Sequence, residues 1–274
     1  MNVVTGDASM IPRPLLRPIC KVNDENIYLR HVDDIRTVLL SLLATPHFTL
    51  NEGSFLMAYF SNQIKDVYKK GCGEDELVEV ANQIDFITRI EVQEEIVQQY
   101  RTIATDGSVA LALGSVILES AAANKSAHGF RQLAMEVLAG ILETEQAAFF
   151  EAYDQTQQTL QERAGKQLTQ YFGNFCAHYL VHNPLIDADS LLDYVQRLFL
   201  TKALIQLLMF CHPEMQAAAK LPDDEMHAEI ERISIRIFYL VTRAAHHSKV
   251  LTNIQEILER DTEQFALTTL LIRL

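Results

Sequence analysis

Cysteine is scarce in this 274-residue chain: Cys20, Cys72, Cys176 and Cys211 are all it has. No two stand within four residues of each other, so no CxxC pair exists for zinc or an iron–sulfur cluster. Four scattered thiols suit a reducing cytosol, and the cytoplasm is the expected location. Glycine is scarce too, at ten residues. No GxGxxG follows a strand pattern, and there is neither a Walker loop nor a GxSxG elbow. Those absences argue against a nucleotide-binding Rossmann domain. Positive charge is in deficit: 23 Lys and Arg against 36 Asp and Glu leave a net charge of −13. Such a surface argues against non-specific nucleic-acid binding and against docking on anionic lipid.

Uninterrupted apolar runs are missing as well. The opening "MNVVTGDASMIPRPLLRP" has no continuous apolar core and does not read as a signal peptide. The most apolar stretch, Leu191 to Cys211, is broken by Asp193, Gln196, Arg197, Lys202 and Gln206. These residues would be costly in lipid, so the stretch reads as a buried core helix and no membrane insertion is expected. Sustained β alternation is absent, and so is any repeat of 34 or about 40 residues, which sets a solenoid aside.

What remains is helical patterning. Pro12, Pro14 and Pro18 make residues 1–30 an extended segment. From His31 to about Ala44, Ile35, Val38, Leu39 and Leu42 fall on one helical face, and Pro46 stops the run. "TLNE" at 49–52 reads as a capping box for a helix over about 52–69, which ends at "GCG". A helical stretch from Glu74 to Thr105 carries one internal break, and "DG" at 106–107 marks a turn. Residues 108–123 form a packed helix, "NKSAHG" a loop, and Phe130 to His182 two or three helical pieces. Further helices are expected over 188–211, from "LPDD" at 221–224, over 249–259 and from Thr262. The fold class is all-α, a multi-helix bundle of roughly eight to eleven helices over 31–274, with a subdivision point near 124–129.

Few side chains in this pattern announce chemistry. "TRAAHHSK" at 242–249 sets His246 beside His247. Met226, Ile230, Ile233, Ile237, Leu240, Ala244 and His247 follow one another in steps of four and three, so His247 continues an apolar stripe. His246 is turned about 100° away, toward the outside. Arg232, Arg236 and Arg243 form a second stripe, read as a solvated face pairing with acids rather than a clamp for an anion. His178 and His182 share a helical face, but "HYLVH" lacks the glutamate of HExxH, and no further ligand is evident. Glu94–Glu95 and Asp223–Asp224 are adjacent pairs with no spacing that marks a catalytic acid and base. No metal site is expected.

Three C-terminal segments carry a family resemblance. They are "LTQYFGNFCAHYLVHNPL" (168–185), "LLDYVQRLFLTKALIQLLM" (191–209) and "IFYLVTRAAHHSKVLTNIQEIL" (237–258), followed by "FALTTLLIRL". They resemble the C-terminal region of the flagellin lysine-N-methylase family. "DIRTVLLSLLATPHFTLNEGSFLMAYFSNQIKDV" (34–67) resembles the family's middle. The resemblance implies methyl transfer from S-adenosylmethionine to protein lysine side chains, with flagellin as the protein partner. It implies a substrate-binding role for Arg243 and His247, which stand on the family's Arg and His positions. His246 stands where the family has an acid. The family's N-terminal cysteine-rich segment, which would hold an iron–sulfur cluster, is not matched: only Cys20 precedes position 72. No cluster is therefore expected in this chain. Two readings follow. One is a methylase of this family, or an incomplete or inactive form of it. The other is a non-enzymatic helical adaptor, chaperone-like or gatekeeper-like, that binds a secreted or assembling protein between its helices.

Overall fold

The computed structural model describes residues 31–67, 74–103, 107–123, 128–142, 146–183, 190–247, 250–259 and 263–274. The extended segment expected over 1–30 lies outside them. Among the described residues there are twelve α-helices and no strand. In chain order they are α1 (Val32–Ala44), α2 (Leu50–Gln63), α3 (Glu74–Ile87), α4 (Ile90–Thr102), α5 (Gly107–Ala123) and α6 (His128–Leu142). Then come α7 (Gln146–His182), α8 (Leu191–Phe210), α9 (Pro213–Ala218), α10 (Asp223–His247), α11 (Val250–Leu258) and α12 (Gln264–Arg273). The all-α expectation holds, and eleven of the twelve have seven residues or more.

Local rules account for most boundaries. In α1, the four residues on the expected face, Ile35, Val38, Leu39 and Leu42, are the buried ones. The capping box opens α2 as expected: Thr49 N donates to Glu52 Oε2 at 2.8 Å, and Glu52 N donates to Thr49 Oγ1 at 3.3 Å. This helix ends at Gln63, short of the expected 69, and the "GCG" stop lies outside the described residues. The break expected within 74–105 falls at Thr88–Arg89. The long segment ahead of His182 is in two pieces, α6 and α7, and α7 is kinked at Ala164 (φ −132°, ψ 18°). The short α9 is an addition to the expected elements. Pro213 at its first turn, where no backbone N–H is needed, starts it, and His212 Nδ1 accepts from Glu214 N.

The architecture is organised around α8. Every one of its residues except Arg197 is buried, because α2, α7, α10, α11 and α12 all pack against it. A helix apolar on all sides needs such a jacket, since a single face would leave the rest in water. α1 and α2 lie close together at Gly53, where a side-chain carbon would meet the carbonyl oxygen of Leu42 at 2.5 Å. Arg163, one residue before the α7 kink, donates to the carbonyls of Ala219 and Leu221 at 2.7 Å each and so ties α7 to the turn that opens α10. No helix among the described residues is long and apolar enough to cross a membrane.

Candidate functional site

Lys202 and Gln206 interrupt the apolar sequence of α8 four residues apart, which puts both on one face of the helix. The capping box at Thr49 fixes the first turn of α2 opposite them, and with it Asn51. The end of α12 closes the third side. Lys202 Nζ donates to Asn51 Oδ1 at 3.1 Å and to the carbonyl of Ile272 at 3.3 Å. That carbonyl belongs to the last turn of α12, where the helix dipole favours a cation. Lys202 is 1% exposed, and no carboxylate pairs with it among the described residues. Burial pushes its ammonium down to about 8, against a weaker opposing influence from Cys176.

Gln206 is 7% exposed, and its Oε1 is buried without a partner among the described residues. A stranded amide end of this kind is uncommon in a folded core. Lys202, Gln206 and Asn51 form the floor of a cleft of about 710 Å³ between α2, α7 and α8. Phe172, Phe210 and Leu168 supply apolar wall, while Asp154 and Glu162 of α7 stand exposed at its rim. Apolar walls with a few convergent polar groups are the usual makeup of a small-molecule site. A primary amine poised near neutrality can take an anion or hold and release a proton.

The residues singled out by sequence lie elsewhere. Arg243 is exposed on α10; its Nη1 donates to the Tyr239 hydroxyl at 2.9 Å, and its guanidinium carbon is 6.0 Å from that ring's centre. The side chains of His246 and His247 lie outside the described residues; only their backbone, the end of α10, is described. Along the stripe expected to lead to His247, Met226, Ile230, Ile233, Ile237 and Ala244 are buried, whereas Leu240 is half-buried. Arg232 and Arg236 pair with acids: Arg232 with Glu214 and Glu229, Arg236 with Glu136 and Glu214. The rings of His178 and His182 are tilted against each other by 33°, with centres 4.1 Å apart. No group of three or more His, Cys, Asp or Glu that could hold a metal occurs among the described residues. Cys176 and Cys211 are both buried, and burial raises both thiols, Cys176 to about 12. Glu94 and Glu95 line a second cleft of about 500 Å³ with His47, Glu91 and Arg101.

Sequence reasoning passes over Lys202 and Gln206, taking them only as breaks in an apolar run. Their spacing of four is the available signal: two polar residues on one face of an otherwise apolar helix face the same neighbour. Asp193, Gln196 and Arg197 are the other breaks, and they form a separate network. Gln255 Nε2 donates to Asp193 Oδ1 at 2.6 Å, Gln264 Nε2 to Gln196 Oε1 at 2.9 Å, and Arg197 Nη2 pairs with Asp193 at 3.0 Å. This network joins α8 to α11 and α12.

A family model described as the FliB lysine N-methylase C-terminal domain matches residues 36–272. No curated protein and no solved structure matches the chain.

Proposed function

Because the chain belongs to the FliB lysine N-methylase C-terminal domain family, we propose that it acts in the transfer of methyl groups from S-adenosylmethionine to lysine side chains of flagellin, in the cytoplasm. The observation that carries this reading is the extent of the family match. Residues 36–272 take in α2, α7 and α8, the helices that line the cleft.

The cleft's residues fit the methyl donor in kind. Its volume of about 710 Å³ lies within the span of roughly 300–1,000 Å³ usual for small-ligand sites. Lys202 offers an ammonium to a carboxylate, and Phe172 and Phe210 offer apolar surface to a nucleoside. S-adenosylmethionine, when bound, supplies an electrophilic methyl group, so the acceptor lysine must present a neutral amine. Asp154 and Glu162 at the rim give the mouth a negative field that attracts the cationic acceptor lysine. The described residues do not assemble a ligand set for an iron–sulfur cluster. By their family positions, Arg243 and His247 in the last turns of α10 are assigned to the flagellin substrate.

The test is direct. The full chain is incubated with S-adenosylmethionine and monomeric flagellin, and flagellin lysines are read by mass spectrometry. Added methyl groups, reduced by Arg243→Ala at unchanged thermal stability, support the reading. Flagellin that binds the chain and stays unmethylated overturns it in favour of the adaptor.

A further inference from the structure

We propose that residues 10–21, which precede α1, strap across the outer face of the α3–α4 pair. The proposal goes beyond the methylase reading and does not depend on it.

The face is apolar where it meets water. Of the fourteen residues of α3, Val80 and Ile87 alone are buried. Val78 and Phe86 are 57% and 39% exposed, and Ile90, which opens α4, is 38% exposed. Val78 and Phe86 stand eight residues apart, so about two helical turns set them within about 80° of one another on the outward side. A helix with apolar side chains on both its inner and its outer side is short of a covering element.

The same face is strongly negative. Residues 74–103 hold eight Asp and Glu against Arg89 and Arg101, a net charge of −6 in a chain of −13. Arg89 pairs with Asp85 and Arg101 with Glu52. Glu74, Asp75 and Glu76 of α3 and Glu91, Glu94 and Glu95 of α4 make no ion pair among the described residues. Whatever covers this face must bring apolar side chains and positive charge together. A second copy of the face brings the wrong sign and is repelled.

Residues 8–23 have that chemistry. They carry Arg13, Arg17 and Lys21 with no acid, interleaved with Met10, Ile11, Leu15, Leu16 and Ile19. Pro12, Pro14 and Pro18 restrict the backbone beforehand, which lowers the entropy lost on docking. The tether is long enough. α1 packs against α3, and its thirteen residues span roughly 20 Å. Lys21 precedes His31 by ten residues, a reach of up to roughly 33 Å. A tethered segment acts at an effective concentration on the order of millimolar, an advantage that a separate basic partner lacks.

Carbodiimide coupling of the dilute full chain tests this, because it joins an amine to a carboxylate in contact with it. Lys21 is the one lysine in residues 1–30. The expected product is an amide between Lys21 and an acid of α3 or α4, found by mass spectrometry in the monomeric fraction. Hydrogen exchange gives a second readout. Arg13→Glu combined with Arg17→Glu should speed exchange of the α3 amides about tenfold and leave α8 unchanged, which controls for folding. Lys21 linked to other helices, or between chains, would overturn the strap. So would no Lys21 link at all, which leaves the face to a separate basic partner. Exchange in α3 that ignores the double variant, or that quickens equally in α8, also sinks it.

Discussion

Gly53 of α2 faces the main-chain carbonyl of Leu42 on α1 so closely that an added Cβ would lie 2.5 Å from the oxygen. The obstacle is backbone, which cannot rotate away as a side chain could. Gly53→Ala must therefore push α1 and α2 apart, and α1 carries Ile35, Leu39 and Leu42 in the core. We expect a loss of about 1–3 kcal/mol in urea unfolding. Gly173 on α7 is the control, since a Cβ there meets nothing within 4 Å. Gly173→Ala should instead stabilise by about 0.5–1 kcal/mol through helix propensity. Equal effects from the two would show that the α1–α2 approach is not as described.

Lys202 makes stability depend on pH in an unusual direction. Its folded value is pushed down to about 8, from an ordinary 10.5. Between these values the unfolded chain binds more protons than the folded one, so stability rises with pH across that window. Below about 8 both states are charged, and the buried ammonium is at its most unfavourable. Lys202→Met removes the effect. The difference in unfolding free energy between wild type and Lys202→Met should shift by on the order of 2–3 kcal/mol in favour of wild type from pH 7.5 to pH 10. Guanidinium titrations at the two pH values measure it, with tyrosine and other lysine titrations cancelling between the proteins. A difference independent of pH would mean that Lys202 is not a buried titrating amine.

Glu52 works the opposite way. Burial alone would raise its carboxyl, but hydrogen bonds from Arg101 and from Thr49 outweigh that and hold it below the ordinary 4.5. A depressed carboxylate contributes stability that is present above its unfolded value and lost as pH falls through the folded one. Glu52→Gln should cost about 1–2 kcal/mol at pH 7, through the weakened capping box and the lost charge-assisted bond to Arg101. At pH 3 most of that difference should be gone. Thermal unfolding at both pH values checks it, and an equal cost at both would point to packing rather than charge.

Helix positions are largely legible in the amino-acid pattern. Ile35, Val38, Leu39 and Leu42 declare their face by spacing, Thr49 and Glu52 declare a cap, and "LPDD" marks the start of α10 to within a residue or two. The pairing of Arg232 and Arg236 with acids is also readable, as a charge stripe on an acidic chain. Local patterning misses α9, which at six residues is too short to show a period. It also runs α2 on to 69, where the helix stops at Gln63.

The cleft is of another kind. Lys202 and Gln206 are visible as polar breaks in an apolar run, and nothing near them in sequence distinguishes them from Asp193, Gln196 or Arg197 on the same helix. The difference is in their distant partners. Asp193 meets Gln255, and Gln196 meets Gln264. Lys202 meets Asn51, 151 positions away, and Ile272, 70 positions away. The sequence by itself determined where helices begin and end and which faces are apolar, because caps, spacing and propensity act over one or two turns. Tertiary structure alone decided which buried polar groups satisfy one another and which are left without a partner. That outcome depends on where separate helices meet, and no short-range rule specifies it.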